Sequence, residues 1–148
     1  MRALGVDLGS KRVGVAVSDS AGSVATPIET VERPRDAAAL YRRLSQLAAE
    51  WEAEVIVVGL PLGLDGSEGS AAAAALAEVA ELAVAAEVPV ETYDERLTTV
   101  TAERSLMEMN LNATARRRVV DQVAAAVMLQ AWLDHRRQAL PLRPDQTS

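Results

Sequence analysis

Two short apolar runs separated by a polar turn, with one carboxylate inside the first, constrain this chain more than any other feature. In Ala3-Leu4-Gly5-Val6-Asp7-Leu8-Gly9, the alternation puts Leu4, Val6 and Leu8 on one face of a strand and Ala3, Gly5 and Asp7 on the other. After Gly9-Ser10-Lys11-Arg12 a second strand pattern begins, Val13-Gly14-Val15-Ala16-Val17-Ser18-Asp19. Apolar strands flanking a short polar turn predict a β-hairpin. Asp7 therefore stands on a strand that otherwise reads as buried, among small side chains that leave room for an ion or a phosphate. A carboxylate in such a place is paired or binds a metal; an N-cap or salt-bridged aspartate is the plainer alternative.

The rest of the chain alternates strands with helices. Val24 to Val31 reads as a third strand, interrupted by Pro27 and hence irregular or at a sheet edge. Asp36 is placed to cap a helix running to about Trp51, with Leu40, Leu44, Leu47 and Trp51 at helical spacing. Glu54 to Gly59 is nearly continuous apolar sequence, as expected of a central strand covered on both faces. A glycine-containing loop, Pro61 to Gly69, leads to an alanine-rich helix from Ser67 or Ser70 to Ala86. Val88 to Tyr93 is the next strand, with Asp94-Glu95-Arg96 at its carboxyl end. Thr98 or Thr99 can cap a helix reaching Met109, and a last helix starts near Thr114 and ends near Arg137. The order β-β-β-α-β-α-β-α-α describes an α/β domain on a mixed sheet, antiparallel at the hairpin and parallel later. One domain is expected over residues 1–138, followed by a flexible tail over 139–148.

Composition narrows the chemistry. The absence of cysteine excludes thiol catalysis and thiolate zinc sites and fits a reducing cytoplasm. No apolar run approaches the roughly 20 residues of a membrane span. With no Phe, two Trp and two Tyr, stacking on bases is not the expected binding mode. A net charge of −6 opposes a polyanion, but the charges are segregated. Ser45 to Glu95 contains no Lys or Arg, whereas Lys11, Arg12, Arg33, Arg35, Arg42, Arg43 and then Arg96, Arg104, Arg116, Arg117, Arg118, Arg136 and Arg137 lie outside it. One acidic and one basic surface are thus allowed, and so is the ordinary outcome of amphipathic helices.

Three acids sit where a solvated face is not expected: Asp7, Glu95 at a strand end beside Asp94, and Asp121 on a helical stripe with Ala125, Met128 and Trp132. If the first strand is central and the last helix crosses it, all three converge at one end of the sheet. Converging carboxylates repel unless a cation lies among them, and Mg²⁺ or Mn²⁺ suits oxygen ligands. One or two such ions held by Asp7, Glu95 and Asp121 would support phosphoryl displacement. His135, the only histidine, is expected at the surface, and no serine has a histidine partner for a triad. Lys11, Arg12, Arg96, Arg116, Arg117 and Arg118 are candidate phosphate contacts, each with a solvated or salt-bridged alternative.

The segment Leu4 to Asp19 resembles the opening of the YqgF family, also called RuvX. Val58-Gly59-Leu60-Pro61-Leu62-Gly63 with Asp65-Gly66-Ser67, then Tyr93-Asp94-Glu95-Arg96-Leu97-Thr98-Thr99, then Val120-Asp121-Gln122-Val123-Ala124-Ala125 through Leu129-Gln130 are similar to its later motifs, in the same order. The resemblance implies an RNase H-like, RuvC-related fold with a five-stranded mixed sheet flanked by helices. It also implies that Asp7, Glu95 and Asp121 hold divalent metal in a nuclease acting on pre-16S rRNA or on Holliday junctions, the latter requiring a homodimer. Two other readings of the same hairpin remain: a non-catalytic RNA or ribosome-assembly module, and a nucleotide-binding ATPase of the actin and sugar-kinase type.

Overall fold

The computed structural model describes residues 1–61, 69–95 and 113–139. Strands β1 (Ala3–Leu8), β2 (Arg12–Ser18) and β3 (Ala25–Glu32) are followed by helix α1 (Ala37–Glu50), strand β4 (Val55–Leu60), helix α2 (Ser70–Ala85), strand β5 (Val90–Asp94) and helix α3 (Ala113–Ala139). The five strands form one sheet in the order β3-β2-β1-β4-β5. β1 pairs antiparallel with β2, which pairs antiparallel with β3; β4 is parallel to both β1 and β5. The mixed sheet expected from the element order is therefore present. The helix expected between Thr98 or Thr99 and Met109, most of the glycine loop, and the tail beyond Ala139 lie outside the described residues.

Strand alternation decides which helix covers which face. Leu4, Val6, Val13, Val15, Val17, Ile56 and Val58 point to one side, where they pack with Leu40, Tyr41, Leu44 and Leu47 of α1 and Leu82 of α2. Ala3, Ala16, Val55, Val57 and Tyr93 point to the other, where Ala124, Ala125, Met128, Leu129, Trp132 and Leu133 of α3 cover them. All six residues of β4 are buried, as its unbroken apolar sequence requires of a strand covered on both faces. The β1 and β2 positions of the second face are small, which lets α3 approach closely there. A Cβ added at Gly5 would come within 2.8 Å of Leu129 Cβ.

The local signals at the edges are also resolved. β3 is an edge strand, and its register against β2 shifts between Val15 and Ala16, where Glu29 and then Pro27 are the partners. The shift absorbs Pro27, which has no N–H to give to a ladder. Asp36 caps α1 by accepting from the Ala38 amide at 3.0 Å. Leu40, Leu44 and Leu47 are buried as their spacing predicts, but Trp51 is 39% exposed. The helix ends at Glu50, and Glu52 turns into the left-handed region at φ 55°, so Trp51 leaves the stripe its spacing assigned to it. Gln130 joins α3 to the start of β3, accepting from the Ala25 amide at 2.9 Å and donating to the Ser23 carbonyl at 2.8 Å.

Candidate active site

Asp7 is 5% exposed near the end of the central strand, on the face covered by α3. Its antiparallel partner is Gly14. One residue beyond the last β1–β4 pair, Val6 with Val58, Asp7 comes level with Gly59. Glycine therefore stands on both sides of the carboxylate, on the same face. Each glycine gives its space to another candidate residue. A Cβ at Gly14 would fall 1.8 Å from the Asp121 carbonyl oxygen, and a Cβ at Gly59 would fall 2.8 Å from Glu95 Oε1. Asp121 thus arrives over β2 on α3, and Glu95 arrives over β4 one residue past β5. The two glycines bring sequence-distant acids to the same end of the sheet as Asp7.

The carboxylates do not touch one common centre as they stand. Among the described residues, no three Asp, Glu, His or Cys side chains are grouped so as to hold a metal ion. Asp121 faces a different cation: Arg12 Nε donates to its Oδ2 at 2.9 Å, with both side chains about four-fifths buried. Arg12 opens β2 on the same face as Gly14, so its guanidinium reaches α3 beside the site rather than solvent. The donor set nevertheless fits a hard divalent cation. It is all carboxylate oxygen, and the missing Cβ atoms at Gly14 and Gly59 keep side-chain bulk out of the space beside Asp7. The Arg12 bond uses only Oδ2, so Asp121 would join such a site through Oδ1 with that bond kept, or through Oδ2 with it opened.

The turn between Asp7 and Arg12 is tight. Gly9 donates to the Asp7 carbonyl at 3.2 Å, and a Cβ at Gly9 would lie 2.4 Å from the Arg12 carbonyl oxygen. Lys11 is exposed at its tip. Arg96 lies outside the described residues, as do the side chains of Arg116, Arg117 and Arg118 on the first turns of α3.

Other charged residues are already occupied. Arg33 forks onto Glu78 at 2.8 and 2.9 Å, and Arg43 onto Glu29 and Glu50. The acids of the Ser45–Glu95 stretch therefore do not form a purely opposing surface, because Glu50 and Glu78 are bound by arginines from the basic segment before them. His135 is exposed, as expected, with Nδ1 against the Tyr93 hydroxyl. Burial, with Asp94 and Asp134 nearby, pushes the Tyr93 hydroxyl pKa up. The sequence reads Gly59 to Gly69 as a stretch whose backbone could approach nucleic acid, and assigns Gly14 no role; the structure sets both glycines inside strands, where glycine is a sign of close backbone approach.

The model of the family described as "RuvX: Holliday junction resolvase" matches residues 1–135. A protein of Mycobacterium sp. (strain KMS) named "Putative pre-16S rRNA nuclease" is 52% identical over 140 residues, covering 94% of this chain and 83% of that one. A protein of Myxococcus xanthus (strain DK1622) with the same name is 47% identical over 146 residues, covering 98% of this chain and 96% of that one. Among solved structures, T. thermophilus RuvC in complex with a Holliday junction substrate superposes with a TM-score of 0.59 at 20% identity, over 94% of this chain and 97% of that one. At that identity the likeness is one of fold, and it confirms the RNase H-like architecture expected from the resemblance. On the match across nearly its whole length, this chain belongs to the RuvX family.

Proposed function

We propose that this chain, a nuclease of the RuvX family, is a divalent-metal-dependent endonuclease whose catalytic and metal-holding residues are Asp7, Glu95 and Asp121. The observation that carries the assignment is the row Gly14–Asp7–Gly59, with Asp121 lying over one glycine and Glu95 over the other. One or two Mg²⁺ or Mn²⁺ ions held there would neutralise charge on the scissile phosphate and lower the pKa of the attacking water. The protein's own part is placement. Asp7 sits near the end of the central strand, paired with Gly14 of β2 and one residue past the last pair with β4, so its backbone is held by the sheet. Arg12, bonded to Asp121 Oδ2 through Nε, would orient that carboxylate toward a bound ion and offer its other guanidinium nitrogens to a phosphate oxygen. Lys11 at the hairpin tip adds a second phosphate contact, and Arg96, Arg116, Arg117 and Arg118 extend it along the backbone of the bound strand.

The relatives' names favour a nuclease over the two alternatives, a binding module and an ATPase, and point to precursor 16S rRNA as the substrate. The family description points to branched DNA, which needs two symmetric cuts and hence a homodimer. Both substrates belong to the bacterial cytoplasm, where we place the protein; among the described residues no helix is long and apolar enough to cross a membrane. Incubation with Mg²⁺ or Mn²⁺ and either a precursor-rRNA fragment or a four-way DNA junction tests the proposal. Cleavage of one substrate, abolished by chelation and by Asp7→Asn, is the expected result. Cleavage unaffected by Asp7→Asn would overturn the site, and binding without cleavage of either substrate would favour the non-catalytic module.

A further inference from the structure

We infer that Arg33 is a positioning residue of this active site, fixing the turn between Asp7 and Arg12 through the main chain and anchored in turn on Glu78. The inference rests on the site assignment above. Arg33 follows β3 and grips both ends of the turn: its backbone N–H donates to the Lys11 carbonyl at 3.0 Å, and its Nε donates to the Gly9 carbonyl at 2.7 Å. The two remaining guanidinium nitrogens bond the two carboxylate oxygens of Glu78 at 2.8 and 2.9 Å. Tyr41 on α1 donates to the same carboxylate at 3.1 Å. One side chain thus ties the hairpin turn to both helices on the far side of the sheet.

The geometry has a direct route to the site. The turn begins at the Asp7 carbonyl, which Gly9 bonds, and ends at Arg12, whose side chain holds Asp121. Gly9 is folded so closely onto Arg12 that no Cβ fits, so the turn has one compact shape to lose. The pair that holds it is well shielded, with Arg33 and Glu78 side chains 24% and 22% exposed. Arg33 lowers the Glu78 pKa and Glu78 raises that of Arg33, so both stay charged at neutral pH. Only a guanidinium offers a fork for Glu78 and a third donor for Gly9 at once; an ammonium on a flexible stem does not.

Arg43 provides a matched control. It also forks onto carboxylates, Glu29 and Glu50, and it touches neither the turn nor the site. The test compares Arg33→Ala, Arg33→Lys, Arg43→Ala and Asp7→Asn in the full chain, by cleavage kinetics in Mg²⁺ well below each melting temperature. Because displacing reacting groups by about 1 Å costs around 100-fold, Arg33→Ala is expected to lower kcat by about 10- to 100-fold, with Arg33→Lys restoring only part of it. Arg43→Ala is expected to lower the melting temperature while holding kcat within about twofold. If Arg33→Ala fails to fold, Glu78→Gln and Tyr41→Phe loosen the same anchor more gently and should lower kcat in that order. Arg33→Ala, or both gentler variants in its place, with wild-type kcat alongside an inactive Asp7→Asn would overturn the role of Arg33. An active Asp7→Asn would instead overturn the site assignment itself.

Discussion

Replacing Gly14 with Ala puts one methyl group where α3 meets β2. The new Cβ would lie 1.8 Å from the Asp121 carbonyl oxygen and 2.3 Å from its carbonyl carbon, against 3.4 Å for the start of ordinary contact. Both atoms are backbone, so no rotamer change relieves the clash, and the helix must move by about 1.6 Å at Asp121. Overpacking of this kind costs about 1–3 kcal/mol, and a clash with main chain belongs at the upper end. For a chain of this size that is a fall of roughly 6–12 °C in melting temperature. The same movement carries the Asp121 carboxylate away from its partners, and a misplacement of about 1 Å is expected to cost around 100-fold in kcat. Gly5→Ala supplies the comparison. Its Cβ would meet the Leu129 side chain at 2.8 Å and the Ala125 carbonyl at 3.3 Å, about two turns and one turn farther along α3 than Asp121. It should lower the melting temperature with a much smaller effect on turnover. Thermal melts and single-turnover cleavage in saturating Mg²⁺ would measure both. A Gly14→Ala protein that melts lower yet cleaves at the wild-type rate would show that Asp121 needs no such precise seat and is not part of the reacting centre.

Three further outcomes are expected. Asp7→Asn should keep the far-ultraviolet circular dichroism of the wild type and lose cleavage, and added Mg²⁺ should raise the melting temperature of the wild type more than that of the variant, because only binding to the folded state shifts the equilibrium. Glu78 has a folded pKa below its ordinary value because Arg33 donates to it. Its contribution to stability is therefore complete above the ordinary glutamate pKa of about 4.3 and is lost as pH falls through the lower folded value; the gap in melting temperature between wild type and Glu78→Gln should be constant near neutrality and close in acid. Finally, replacing Arg116, Arg117 and Arg118 with Ala should weaken nucleic-acid binding alike for all sequences and flatten its dependence on salt by up to about three units, while an unchanged slope in titrations at several salt concentrations would remove these arginines from the interface.

The hairpin was legible because its alternation is strict: Leu4, Val6 and Leu8 face α1 and α2, and Ala3, Gly5 and Asp7 face α3. Pro27 announced an irregular edge for the same reason, since its missing N–H can be tolerated only there. Asp121, Ala125, Met128 and Trp132 declared a helical stripe that the structure buries from Ala125 onward. What pattern could not supply was the identity of tertiary partners. Arg12 reads as a solvated turn residue until α3 places Asp121 against it, 109 residues away in the chain. Arg33 reads as one more basic residue before a proline, and Glu78 as a polar position on an alanine-rich helix, yet they meet across 45 residues. Trp51 shows the opposite failure, a periodic position that the helix ends too early to use.

The unequal faces of the hairpin also bear on how the chain survives its own synthesis. The face rich in Leu and Val is the one that α1 covers, and α1 follows directly after β3. The face made of Ala3, Gly5, Asp7, Gly14 and Ala16 waits for α3, about 100 residues later, or roughly 5–20 s at bacterial elongation rates. A surface left bare for that long would invite aggregation were it apolar. Glycine, alanine and a carboxylate offer little apolar surface for misassociation. The same residues that give α3 its close seat thus leave that face of the hairpin with little apolar surface to bury in the interval before the helix is made.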